Sequence, residues 1–105
     1  MADDVMNRIK SLIDQNKILI FMKGTPSLPM CGFSAATIEV FNELGVKYST
    51  VNVLEDPAIR EGIKAFSKWP TIPQVYVNGE FIGGCDIVQE MHARGELKPL
   101  VAAAA

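Results

Sequence analysis

The chain has 105 residues, a length that suits one compact domain and leaves no room for two. Apolar residues make up 49% and charged residues 21%, which supports a packed core and excludes a chain that stays disordered. Ten basic against twelve acidic side chains give a formal charge of -2, so the broad cationic field that grips a phosphate backbone is missing and nucleic acid is not expected as a partner.

In chain order, Met1-Ala2-Asp3-Asp4 is acidic where a secretory signal carries positive charge, and no apolar run approaches the roughly 20 residues that cross a bilayer. A soluble cytoplasmic domain over residues 1–105, without membrane attachment, is the expectation. With Asp3 or Asp4 as N-cap, Val5, Ile9, Leu12 and Ile13 fall at helical spacing up to a stop at Asn16. Ile18-Leu19-Ile20-Phe21-Met22 is apolar without alternation, as in a central parallel strand covered on both faces. Lys23 to Met30 has the Gly and Pro content of a loop; Phe33, Ala36, Val40, Phe41 and Leu44 then mark a helical face that ends at Gly45. Tyr48 to Val53 reads as a second strand, and Asp56-Pro57 as cap and first-turn proline of a helix lined by Ile59, Ile63 and Phe66.

Asn78-Gly79 between Gln74–Val77 and Glu80–Ile82 is a type I′ hairpin signal, because both turn residues tolerate positive φ. Gly83-Gly84 breaks the last strand before a helix carrying Ile87, Val88 and Met91 and ending near Gly95; Ala102 to Ala105 are expected to fray. The order α, β, α, β, α, β, β, α predicts a right-handed βαβ unit plus an antiparallel hairpin in one four-stranded mixed sheet with flanking helices.

The two cysteines are too few and too far apart for a disulfide framework or a CxxC metal knot, which turns attention to reactive thiol chemistry. Cys31 falls where loop becomes helix, and there the unpaired N–H groups and the dipole favour a thiolate; Lys23, at the mouth of the preceding strand, adds positive charge if the fold brings it near. A reactive thiolate is favoured over a buried structural cysteine. Ser34 stands where a dithiol loop would have its second cysteine, so a local disulfide cycle is disfavoured, and a capping role is as good a reading as one near the sulfur. Cys85 is open to three readings, a resolving thiol, a metal ligand or a packing residue. Asp86 reads equally as a cap or as part of an N-terminus that, with Gly84, receives a carboxylate. Taken alone, Arg60 and Lys64 read as a solvated face, Trp69 as packing, His92 as surface, and the Ile72-Pro73 bond as trans.

Four blocks in order, Lys23-Gly24-Thr25-Pro26, Pro29-Met30-Cys31-Gly32-Phe33-Ser34, Trp69-Pro70-Thr71-Ile72-Pro73-Gln74 and Gly83-Gly84-Cys85-Asp86, resemble the monothiol glutaredoxins of the CGFS type over nearly Asp3 to Leu100. The resemblance implies a thioredoxin-like fold in which Lys23, Cys31, Arg60, Ile72, Cys85 and Asp86 surround glutathione. Pro73 would be cis, with the Ile72 backbone pairing with the tripeptide. It further implies that Lys23 and Arg60 meet the glycine carboxylate, that Asp86 and its helix-start amides hold the γ-glutamyl end, and that Cys31 is both the redox-active residue and an iron ligand. The implied role is to hold a 2Fe-2S cluster between two subunits and pass it to apo acceptor proteins, often with a BolA-type partner. Such a centre takes four thiolates, which two Cys31 and two glutathiones supply in a symmetric dimer. The rival count uses Cys31 and Cys85 of each chain without glutathione. Two alternative functions follow from the same residues: a glutathione-dependent oxidoreductase that removes glutathione from protein thiols, and an iron- or redox-sensing module. A single-domain form, as in bacteria or processed organellar proteins, and a cytoplasmic location complete the expectation.

Overall fold

The unbroken apolar run at 18–22 becomes the centre of the sheet. In the computed structural model, which describes the backbone of residues 2–104 and side chains over 4–103, the elements are α1 (Ala2–Gln15), β1 (Ile18–Met22), α2 (Gly32–Leu44), β2 (Ser49–Asn52), α3 (Pro57–Ser67), β3 (Gln74–Val77), β4 (Glu80–Gly83), α4 (Cys85–Ala93) and α5 (Leu97–Ala104). The strands lie in the order β2-β1-β3-β4. β1 runs parallel to β2 and antiparallel to β3, and β3 is antiparallel to β4, which is the mixed thioredoxin-like sheet expected.

All five residues of β1 are buried, because helices cover both faces. The strand's two-residue period sorts its side chains into two cores. Ile18, Ile20 and Met22 pack with Ile38, Phe41, Val88, Leu97 and Val101 from α2, α4 and α5. Leu19 and Phe21 pack with Ile9, Ile13, Ile59 and Ile63 from α1 and α3. The predicted punctuation holds: Asp56 caps α3 by accepting the Ile59 N–H at 3.2 Å, Gly45 ends α2 at φ 69°, and Asn78 and Gly79 take φ 53° and 84° in the hairpin. Arg8 from α1 pairs with Asp56 at 2.6 Å and ties the two helices of the second core together.

Four local expectations need correction. α1 already includes Asp3 and Asp4, so neither is its N-cap; the side chain of Asp3 lies outside the described residues. β2 begins at Ser49 rather than Tyr48 and stops at Asn52. On α2 the inward face at the first turns is made by Ser34 and Thr37, not by Phe33, which is 63% exposed. The two hydroxyls can be buried because each is locally paired, Ser34 Oγ accepting the Lys23 N–H and Thr37 Oγ1 donating to the Phe33 carbonyl. The fourth correction is α5, a helix absent from the sequence reading. Pro99 falls in its first turn, where a missing N–H costs nothing, and Leu97 and Val101, one turn apart, enter the core; Ala102–Ala104 finish this helix, and Ala105 lies outside the described residues.

Because Leu97 is fully buried, Leu97→Ala should lower the free energy of unfolding by about 3 kcal/mol. Ala102→Ser on the exposed side of the same helix should change it by less than about 0.5 kcal/mol. Urea denaturation of both variants checks this.

Candidate functional site

β1 delivers the chain to the site through a tight loop. The Met30 N–H donates to the Lys23 carbonyl at 2.9 Å, and Thr25 and Leu28 exchange backbone bonds of 3.1 and 3.0 Å. Gly24 at φ +92° is required there, since a Cβ would stand 2.5 Å from the Leu28 carbonyl oxygen. Asn52 Oδ1, at the end of β2, accepts the N–H groups of Gly24 and Leu54 at 2.9 and 3.0 Å and so anchors the loop to the sheet. The loop ends at Cys31, the N-cap of α2, in extended conformation and with no capping hydrogen bond from its side chain.

Cys31 opens onto a cavity of about 470 Å³, within the range of small-molecule pockets. Its wall is drawn from four segments, and all seven residues singled out by the resemblance meet there: Lys23, Cys31, Arg60, Ile72, Pro73, Cys85 and Asp86. The Ile72-Pro73 bond is cis, as the resemblance implied and the bare base rate did not. Ile72 and Cys85 are buried at 7% and 8% exposure, so they form the floor, while Asp86 is exposed in the first turn of α4. Gly84 is the N-cap of α4 and provides no side-chain cap. Two helices therefore begin at this cavity, neither with a side-chain capping hydrogen bond among the described residues.

Some lining residues were read only as structural. Trp69 packs on Phe81 at 5.7 Å between centroids, yet it also lines the cavity, and its buried Nε1 has no partner among the described residues. Lys64 lines it as well but is paired with Glu61 at 3.2 Å. Phe33, 63% exposed, stands at the mouth. The one-turn spacing of Arg60 and Lys64 was the signal that could have placed Lys64 beside Arg60. His92 pairs with Glu43 at 2.9 Å and lies outside the cavity lining.

Residues 18–82 match the glutaredoxin family model. The chain is 50% identical over 101 residues to probable monothiol glutaredoxin 2 of Rickettsia typhi, covering 96% of this chain and 91% of that one. It is 51% identical over 104 residues to monothiol glutaredoxin-5, mitochondrial, of Saccharomyces cerevisiae, covering 96% and 69%. This chain belongs to the glutaredoxin family. Its Cys31-Gly32-Phe33-Ser34 motif makes it a monothiol member of the CGFS type. A crystal structure of a buckwheat glutaredoxin–glutathione complex superposes with a TM-score of 0.88 at 26% identity, covering 98% of this chain and 92% of that one.

The thiol of this glutaredoxin is tuned by its helix start. The Cys31 pKa is lowered from the ordinary 9.0 mainly by the backbone N–H of Ser34, against the opposing effect of partial burial; the Phe33 N–H, the Lys23 charge and the Ser34 hydroxyl lower it further. Neither Lys23 nor Arg60 takes part in an ion pair among the described residues, so both charges are available to the cavity. Since the folded pKa lies below the unfolded one, ionisation of Cys31 adds stability as pH rises through the folded value, complete only above 9.0.

The pH profile of Cys31 alkylation by iodoacetamide should therefore have its midpoint below 9.0. Ser34→Ala and Lys23→Gln should each move it upward, and Glu39→Gln, on the exposed side of α2, should leave it in place.

Proposed function

We propose that this glutaredoxin binds glutathione at the Cys31 cavity, holds a glutathione-ligated 2Fe-2S cluster between two of its copies, and passes that cluster as cargo to apo acceptor proteins. The observation that carries this reading is the convergence on one cavity of a half-buried, acidified thiol, two uncapped helix starts and two unpaired cations. Glutathione matches that field at both ends. Lys23 and Arg60 suit its glycine carboxylate, the α4 N–H groups suit the γ-glutamyl carboxylate, and Asp86 suits the ammonium. Ile72, at the cavity floor, would pair its backbone with the tripeptide.

The donor set supports external ligation. Among the described residues there is no group of three or more His, Cys, Asp or Glu able to hold a metal ion, so a centre needing four thiolates has to draw ligands from outside the chain. Cys31 is half-buried and Cys85 buried, which favours Cys31 with glutathione over the count that uses both cysteines. The cluster supplies soft iron–thiolate bonding that ligand exchange can undo; the chain orients the two thiols and offsets their charge. Leu28, Met30 and Phe33 are 61–67% exposed around Cys31, an apolar rim suited to cover by the second copy or by a BolA-type partner. The described residues hold no helix long and apolar enough to cross a membrane, and a cytoplasmic site of action is part of the proposal, although the yeast relative is mitochondrial by name.

The lowered Cys31 pKa also favours a second reading. As a thiolate, Cys31 attacks the glutathione sulfur of a protein–glutathione mixed disulfide and expels the protein thiolate. A second glutathione then attacks the Cys31 mixed disulfide, leaving as oxidised glutathione and restoring the Cys31 thiolate.

Anaerobic mixing with iron, sulfide and glutathione should yield a coloured dimer by visible absorption and sizing. Cys31→Ser should stay colourless and monomeric, and Cys85→Ser should keep colour that depends on glutathione. A colourless wild-type monomer would sink the cluster reading. In the apo protein Arg60→Ala should weaken glutathione binding about tenfold, the scale of one charge-assisted hydrogen bond, as measured by calorimetry.

A further inference from the structure

We propose that Gln74 is a positioning residue for the tripeptide, a buried amide on β3 that holds the Trp69–Ile72 wall of the cavity in its receiving shape; this rests on the glutathione reading above. Gln74 is one of only three polar side chains buried in the described core, at 0% exposure, and the other two are hydroxyls of α2. Its Nε2 donates to the carbonyls of Trp69 at 3.0 Å and Thr71 at 3.2 Å. Its Oε1 faces the Tyr76 hydroxyl at 3.4 Å. Flipping the amide would set its oxygen against two carbonyls, so this orientation is the one the network allows. Burial pushes the Tyr76 hydroxyl up to about 12, which keeps it a donor to Oε1.

The wall depends on this support because side chains, not backbone pairing, hold it. Among the described residues, no backbone–backbone bond outside the regular helices and strands involves residues 69 to 73. Trp69 is held at its N–H by Ser67 Oγ, at 3.1 Å, and at its carbonyl by Gln74. The same loop sits against Gly84, where a Cβ would stand 3.4 Å from Trp69 Nε1 and 3.2 Å from the Pro73 carbonyl oxygen. Gln74 therefore sets the Ile72 segment and, through Trp69, its spacing from the α4 start that would take the other end of the ligand. A polar group is otherwise expensive at this depth, and an apolar residue of the same length would fill the space.

The test uses Gln74→Met, which keeps the volume and removes both donors, with the single tryptophan as reporter. The expected result is a folded protein by circular dichroism with the wild-type pH profile of Cys31 alkylation, Trp69 emission more readily quenched by acrylamide, and glutathione affinity reduced about tenfold, the scale of one lost buried hydrogen bond. Gln74→Glu, an acceptor facing two carbonyls when ionised, should bind weakly at alkaline pH and recover in part as pH falls and the carboxyl can donate. It carries the test if Gln74→Met does not fold. Wild-type affinity or wild-type quenching in a folded variant overturns the proposal, as does failure of both variants to fold, which would make Gln74 purely structural. If the wild-type chain itself does not bind glutathione, the parent reading falls and takes this one with it.

Discussion

Two helices, α2 and α4, begin against one cavity, and no side chain closes either start. The first N–H groups of a helix have no acceptor within it, and their dipoles leave partial positive charge at that end. In most helices a Ser, Asp or Asn satisfies them, as Asp56 does for α3. Here the N-cap positions are Cys31 and Gly84, so the positive helix end meets a thiol whose acidity it raises at one start and a residue with no side chain at the other. Neither start has the Ser, Asp or Asn capping bond that usually closes a helix, and the site's chemistry follows from that loss.

The surrounding fold can bear that loss because its structural demands are met elsewhere. β1 is saturated with apolar contacts on both faces, and the loop that leaves it is held by Asn52, by the Gly24 turn and by the Ser34 hydroxyl. Of the two alternatives left open for Ser34, a cap or a role near the sulfur, the structure favours the second: its hydroxyl contributes to the acidity of Cys31, and instead of capping α2 it accepts the Lys23 N–H at the strand end. One residue thus links the strand end, the helix start and the sulfur.

Environment rather than residue type separates the two sulfurs and the three cations. Cys31 is half-buried at a helix N-cap, whereas Cys85 is buried one residue past another. Lys64 is occupied by Glu61, while Lys23 and Arg60 carry their charge into the cavity. A chain of net charge -2 can therefore present a positive site, since the field at a few ångströms depends on the nearest groups and not on the sum.

Local signals sufficed wherever one segment settles its own conformation. The buried strand at 18–22, the Asp56-Pro57 start, the Gly45 stop and the Asn78-Gly79 turn were all legible, because φ preference and hydrophobic period act over a few residues. The motif blocks likewise named Cys31 and its company. Only tertiary structure decided that Phe33 faces outward while Ser34 and Thr37 are buried, since helical period fixes which residues share a face and not which face meets the sheet. It also decided that residues 97–104 form a helix, because Leu97 and Val101 gain their stability from a core built by distant strands. Gln74 shows the same limit: a glutamine in a strand carries no mark of its role until the fold sets two unpaired carbonyls in front of it.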